Sequence, residues 1–351
     1  MALTTRTLGS DDRPGKDGTG SVDGHGRGLT VSALGLGAMG MSDLYGPADE
    51  AESTATIHAA FDAGVTLIDT GDFYGMGHNE LLIRDALRSS GRARGEVAVS
   101  VKFGAQRSYD GQWLGYDASP NAVKTALAYT LRRLGTDYVD VYRPARLDPQ
   151  VPIEETVGAI AEMVQAGHVR HIGLSEVGAE TLRRAHAVHP IVDLQIEYSL
   201  ISRGIEAAIL PTARELGIGI TAYGVLSRGL ISGHWQADRA FAAGDFRSLS
   251  PRFQAGNVDA NLKLVEALRA VAEAKDATVA QVAIAWVLAQ GEDIVPLVGA
   301  RRRERLTEAL GAAGLTLGAA DLAAIEEAVP AGAASGDRYV AAQMAHLDSE
   351  R

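Results

Sequence analysis

A carboxylate, a phenol and a lysine ammonium are spaced in this chain so that one cleft could hold all three: Asp69, Tyr74 and Lys102. Asp69 and Tyr74 lie in V-T-L-I-D-T-G-D-F-Y-G, residues 65–75. The stretch begins as an apolar run with the pattern of a buried strand, then breaks into the turn formers Asp69-Thr70-Gly71-Asp72. The same residues would suit a plain strand-end turn with a surface Asp and a half-buried Tyr. Lys102 adds weight to the chemical reading. It closes a second apolar run, Val97 to Val101, in a chain whose lysines are Lys16, Lys102, Lys124, Lys263 and Lys275. A lysine at the inner end of a buried strand is costly unless a carboxylate pairs with it, and Asp69 is the candidate. An ammonium beside a tyrosine stabilises the phenolate and lowers its pKa from about 10. That suits a general acid or base near neutral pH.

The elements that must position these groups alternate along the chain. Strand-like runs centre on Leu34–Gly37, Val65–Ile68, Val97–Val101, Tyr138–Tyr142, His171–Leu174, Val192–Ile196, Ile218–Ala222 and Ile294–Leu297. Amphipathic helices separate them. Ser119-Pro120 gives one helix start, and Thr278 with Gln281 fits a capping box. Val258, Leu262, Val265, Leu268 and Val271 share one helical face. Eight strands with intervening helices predict an α/β fold, a parallel sheet closed into a (β/α)8 barrel. In such a barrel the site lies at the C-terminal strand ends. Asp69, Lys102, Ser175, Gln195 and Tyr223 all fall at or just past such ends, so polar groups from different strands meet at one mouth.

These segments resemble the aldo-keto reductases. Asp69, Tyr74 and Lys102, in I-D-T-G-D-F-Y-G and V-S-V-K-F-G, are similar to the family's catalytic residues, and the likeness runs from about Leu34 to about Leu317. It implies a nicotinamide cofactor, NADPH. Ser175 in I-G-L-S-E-V and Gln195 in D-L-Q-I-E-Y match the residues that hold the nicotinamide amide. Tyr223 matches the ring that stacks on it; Leu226 and Arg228 follow in Y-G-V-L-S-R-G-L. The block V-G-A-R-R-R-E-R-L-T-E-A-L, with Gly299, Arg301, Arg302, Arg305 and Glu308, resembles the segment that binds the adenosine 2′-phosphate. Arginines at a helix start are electrostatically out of place unless an anion joins them; a solvated basic helix start is the alternative. Ala309 stands where the family usually has Asn.

One departure matters. The family's fourth catalytic residue is a His in a pattern like Y-Q-L-H-R-V-D-P, and this chain reads Tyr142-Arg143-Pro144-Ala145-Arg146-Leu147-Asp148-Pro149. Ala145 occupies the histidine position. Three readings of this departure stay open: Tyr74 as sole proton donor, Arg143, Arg146 or His78 as the replacement donor, or a substrate that is bulkier, an imine or an enone.

The chain carries a formal charge of −11, which argues against a nucleic-acid surface. It has no cysteine, which excludes disulfides and thiolate sites. No clustered His and carboxylate set implies a metal. No apolar run is long enough for a membrane, no apolar signal core opens the chain, and a cytoplasmic location follows. The reading is a single domain over 1–351, with a flexible Gly/Asp-rich loop at 10–28 and a C-terminal tail at 330–351. Two long segments, Leu226–Gly256 and Phe103–Asp117, carry aromatics that suit either a pocket wall or packing within their own loops. The function expected is reduction of a carbonyl-like small molecule, with Tyr74 as general acid. The alternative is a cofactor-binding regulatory subunit with vestigial activity, because the family includes potassium-channel β-subunits.

Overall fold

The structure is a computed structural model that describes residues 3–9 and 28–351. The loop expected over 10–28 therefore lies, except for Gly28, outside the described residues. The strands are β1 (Thr5–Leu8), β2 (Leu29–Ser32), β3 (Gly35–Gly37), β4 (Leu67–Gly71), β5 (Ala98–Phe103), β6 (Ala105–Arg107), β7 (Trp113–Tyr116), β8 (Val139–Pro144), β9 (Val169–Ser175), β10 (Ile191–Glu197), β11 (Gly219–Tyr223) and β12 (Ile294–Gly299). The helices are α1 (Glu50–Asp62), α2 (His78–Ser90), α3 (Pro120–Leu134), α4 (Ile153–Gln165), α5 (Ala179–Val188), α6 (Ile209–Glu215), α7 (Asn257–Ala274), α8 (Val279–Ala289), α9 (Arg303–Leu310), α10 (Ala319–Ala328) and α11 (Ala341–Met344).

Strands β3, β4, β5, β8, β9, β10, β11 and β12 close into a parallel barrel in chain order. The (β/α)8 expectation holds. Each expected barrel strand is present, shifted at its ends by a few residues. The caps behave as their residue types dictate. Ser119 accepts from Ala122 N before Pro120, and Thr278 and Gln281 form a capping box. On α7 the buried face includes Val258, Val265 and Leu268, with Leu262 and Val271 packed at its edge.

One end of the barrel is plugged. The antiparallel β1–β2 hairpin sends Leu8 and Val31 into a cluster with Leu67, Val141, Val192, Val295 and Leu297. Burying such side chains stabilises each by about 1.5–3 kcal/mol. The opposite end, where the barrel strands finish, carries the polar groups. Among the described residues no helix is long and apolar enough to cross a membrane.

Candidate active site

Asp69 leaves β4 pointing into the mouth, and Lys102 does the same from β5. Their side chains form an ion pair and are 6% and 5% exposed. Asp69 Oδ2 also accepts from Ser100 Oγ at 2.9 Å and from Gln195 Nε2 at 2.7 Å. The buried carboxylate thus has partners on both oxygens, which is what keeps a charge tolerable there. Tyr74 lies beside this pair, with the Lys102 ammonium 5.0 Å from its ring centre. A tight turn after β4 puts it there. Gly75 has φ +55, and a Cβ on it would come within 3.1 Å of Ser42. Phe73 packs edge-on against Tyr74 at 4.8 Å, and Trp113 from β7 packs behind Phe73 at 5.8 Å.

The electrostatics of Tyr74 differ from the simple expectation. Burial first, then the Asp69 carboxylate, push its hydroxyl well above the usual 10; Arg146 pulls it back only in part. The physical reason is neutralisation: Lys102 spends its charge on Asp69. A phenol in this state keeps its proton through neutral pH and is suited to donate it. Lys102 in turn is lowered by its burial, against the pull of Asp69.

Ala145 is buried at the end of β8, and of the groups considered as replacement donors each has a definite location. Arg143 points down into the barrel, where it pairs with Asp193 and does not reach the mouth. His78 bonds Ser42 at 2.9 Å and lies near Glu50, outside the barrel. Arg146 stays at the mouth. Its Nη1 donates to Ala145 O at 2.7 Å and to Ser175 Oγ at 3.4 Å, and its charge acts on Tyr74 and Tyr223.

Ser175 and Tyr223 end β9 and β11, Gln195 lies two residues before the end of β10 between them, and the three line one wall. Arg228, at φ +58, pairs with Glu197 at 3.0 Å while its Nη1 is buried without a hydrogen-bond partner. An orphaned buried guanidinium N–H fits an anionic oxygen that would complete it, as a cofactor phosphate does. Leu226 packs beside it against the core. Gly299 ends β12, exposed, before the arginines. These are not equivalent. Arg301 donates to the carbonyls of Tyr45, Gly46 and Pro47, and burial with nearby Arg247 and Arg302 lowers its proton affinity. Arg303 pairs with Glu52, and Arg305 with Glu308, which also meets His234. Arg302 is exposed, and its side chain makes no hydrogen bond among the described residues; its carbonyl accepts from Leu306 N. The set fits a group with a phosphate at the α9 start. Among the described residues no cluster of His, Asp and Glu could hold a metal ion.

Sequence reasoning missed the groups supplied by the C-terminal tail. Arg338 reaches Glu176 at 2.9 Å, Glu197 at 3.2 Å and Glu350 at 2.5 Å. Burial would raise the Glu176 carboxyl, but Arg338 holds it at about 2. Tyr339 O–H lies 2.8 Å from Tyr223 O–H, and the Arg228 guanidinium is 4.5 Å from the Tyr339 ring centre. No local pattern marks a tail as part of a mouth. The long loops divide. Trp235, Phe241 and Phe253 pack on one another, whereas Phe246 meets Tyr45 at 5.2 Å near Arg228. Tyr109 is 95% exposed and walls nothing. Tyr116 packs against His346 of the tail at 6.5 Å.

The barrel with a buried Asp–Lys pair and a tyrosine at its mouth defines an oxidoreductase-type site on a (β/α)8 scaffold. The aldo/keto reductase family model matches residues 33–330. A probable aldo-keto reductase 1 of Glycine max is 42% identical over 315 residues, 89% of this chain and 90% of that protein. The solved structure of a glycerol dehydrogenase from Gluconobacter oxydans superposes with a TM-score of 0.78 at 26% identity, over 98% of this chain and 96% of that one. The holo form of an aldo-keto reductase from Bacillus halodurans gives 0.73 at 27% identity, over 94% and 97%. The chain belongs to the aldo/keto reductase family. The family reduces carbonyl groups with a nicotinamide cofactor, and acts on small molecules.

Proposed function

We propose that the chain is a single-domain, NADPH-dependent reductase of a carbonyl-like small molecule, with Tyr74 as general acid. The observation that carries this reading is the Asp69–Lys102 pair with the protonated phenol of Tyr74 beside it at the barrel mouth. The bound nicotinamide supplies the hydride. Tyr74 gives its proton to the substrate heteroatom, Lys102 and Asp69 fix the base of the site, and Phe73 packs edge-on against the phenol ring. Ser175, Gln195 and Tyr223 would hold the nicotinamide end, Arg228 the phosphates, and Arg301 and Arg302 the 2′-phosphate. A cytoplasmic location belongs to this reading, and cell fractionation tests it. The experiment for the function itself is NADPH oxidation with a panel of aldehydes, ketones and imines. Tight NADPH binding with no turnover of any of them would favour the regulatory-subunit reading instead.

The missing histidine finds its functional substitute in Arg146. Its guanidinium is the cation that acts on Tyr74, and it stands next to the Ala145 position. A donor to a developing oxyanion contributes about 10²–10³-fold to kcat. Arg146→Ala is expected to lower kcat by that order. Adding Ala145→His in the same chain is expected to restore part of the loss on small aldehydes. A single Arg146→Ala variant with unchanged kcat would remove Arg146 from the reaction.

Cofactor choice gives a second test. Arg302→Ala is expected to weaken NADPH by roughly tenfold or more, the loss of a charged hydrogen bond, and to leave NADH within about twofold. Arg302 is the cleaner target because Arg301 also holds the carbonyls of residues 45–47. Equal losses for both cofactors in a binding titration would show that the arginine does not read the 2′-phosphate.

A further inference from the structure

Among the described residues, no carboxylate comes within ion-pair distance of Arg146. Its charged neighbours are matched. Asp69 takes Lys102. Asp193 takes Arg143 at 2.9 Å, Glu197 takes Arg228 at 3.0 Å, and Glu176 takes Arg338 at 2.9 Å. Arg146 is half-buried, with the phenols of Tyr223, Tyr339 and Tyr116 around it and the Glu176 carboxylate beyond them. Phenols bring no counter-charge at neutral pH. Glu176 acts only through space, because its oxygens are filled. They accept from Arg338, from Tyr223 Oη and Ser349 Oγ at 2.6 Å each, and from Glu197 N at 3.0 Å. A cation in a cleft has given up part of its hydration, and an anion at the same place restores what was lost. The chain as a whole carries −11, so this positive mouth is a local arrangement.

The free part of the side chain has a definite shape. A guanidinium carries its N–H donors in one rigid plane. Nη1 is occupied, on Ala145 O at 2.7 Å and Ser175 Oγ at 3.4 Å. Nε and Nη2 make no hydrogen bond among the described residues. Together they form the two-pronged edge that meets a pair of coplanar oxygens. The Nη1 bonds also fix where that edge can be. They tie Arg146 to the end of β8, at the mouth it shares with Tyr74, on which its charge acts. Ala145 adds only a buried methyl group beside it. An anion read by this edge therefore lies next to the carbon that is reduced, not at the far end of a long substrate. One unit of charge is unmatched, which suits a carboxylate; a phosphate dianion would call for a second cation.

We propose that the substrate is a 2-oxo carboxylate and that Arg146 reads it side-on, one N–H on the keto oxygen and the adjacent N–H on a carboxylate oxygen. This rests on the cofactor reading above and deepens it by naming the substrate class. The two oxygens of a planar 2-oxo acid lie on one edge, as the two prongs do. A neutral 1,2-dicarbonyl matches the shape but leaves the charge unmet, and a simple aldehyde matches neither. The step balances. The keto carbon takes hydride from the reduced nicotinamide and forms a C–H bond, the carbonyl π bond breaks, and the oxygen takes the Tyr74 proton. The 2-oxo acid gains two electrons and becomes a 2-hydroxy acid as NADPH becomes NADP⁺, and the phenolate takes a proton back from solvent. The N–H that meets the keto oxygen also stabilises the charge developing on it.

Two measurements on the full chain test this. The first is binding, by titration calorimetry. NADP⁺ is titrated into the chain, and the loaded chain then receives oxamate, a 2-oxo acid analogue that hydride does not reduce, or methyl oxamate, its neutral ester. Oxamate is expected to bind about ten- to a hundredfold more tightly than the ester, the range for hydrogen bonds to charged groups. The second is kcat/KM with NADPH for pyruvate against methyl pyruvate and for phenylglyoxylate against its methyl ester. The acid of at least one pair is expected to be favoured by a similar factor. Arg146→Met keeps the length of the side chain and strands no carboxylate. It is expected to abolish the preference for acid over ester in both measurements and to leave NADP⁺ affinity as in the wild-type chain. If the esters bind and react as well as the acids, or butane-2,3-dione outruns pyruvate, the carboxylate is overturned. If Arg146→Met keeps the preference, Arg146 is overturned as its reader. If Arg146→Met weakens NADP⁺ and oxamate in proportion, the arginine serves the cofactor and the proposal is equally overturned. A wild-type chain that does not take up NADP⁺ in the first titration overturns the cofactor reading, and this substrate with it.

Discussion

Tyr74→Phe is expected to abolish turnover while NADPH binds almost as before. The substitution removes one hydroxyl and keeps the ring that Phe73 and the Lys102 ammonium contact. A general acid contributes about 10²–10⁴-fold, and the loss should appear in kcat and not in cofactor affinity. The pH profile carries the same information. Because burial and Asp69 push the Tyr74 hydroxyl well above 10, the acid form persists across the neutral range. Reductive kcat should therefore stay level through neutral pH and past the ordinary phenol value near 10, while oxidation of an alcohol, which needs the phenolate, should rise with pH. Burial also means that the phenolate is the form the fold resists, so stability tied to this group is present below the unfolded value near 10 and declines above it. A Tyr74→Phe protein retaining most of its kcat would take Tyr74 out of the mechanism.

The second large effect is on the pair beneath it. Asp69→Asn strands the Lys102 ammonium in a site where both side chains are almost inaccessible. Breaking a buried pair from one side costs about 3–5 kcal/mol. Against a total stability of about 5–15 kcal/mol, that is a substantial fraction, and denaturant titration should register it as a lower midpoint at unchanged slope. The lysine is also expected to lose its proton more readily, since burial already lowers it and Asp69 is its chief support. Replacing both partners, Asp69→Leu with Lys102→Met, is expected to recover most of the stability and none of the activity. Stability and activity that recover together, or an Asp69→Asn protein as stable as wild type, would contradict the pairing as the basis of the site.

Much of this was legible in the chain. The eight strands could be read because buried parallel strands are short apolar runs between amphipathic helices, and each run here is bounded by turn formers. The mouth residues could be read because a strand's C-terminal end is fixed once its apolar run is found. Asp69, Lys102, Ser175, Gln195 and Tyr223 follow directly. The layer below them, Ser100, Arg143, Asp193 and Thr221, was legible in principle by counting back two residues on each strand. Arg143 was instead weighed as a donor at the mouth, which its position two before Ala145 does not allow.

Other features were decided only in three dimensions. Sequence marks Arg301, Arg302 and Arg305 as one basic block; the structure separates them by partner, with Arg301 on backbone carbonyls, Arg305 on Glu308 and Arg302 uncommitted. Sequence puts Lys102 near Tyr74 and so suggests a lowered phenol; packing turns the lysine's charge onto Asp69 and buries the phenol, with the opposite result. The tail from 330 onward carries no periodic signal. Yet Arg338 lies between Glu176 and Glu197, and Tyr339 against Tyr223. The division has one physical cause. Facing along a strand repeats every second residue and is a local property, written in the order of side chains. Which charge neutralises which other charge depends on distances across the closed barrel, and those exist only after the strands and the tail have come together.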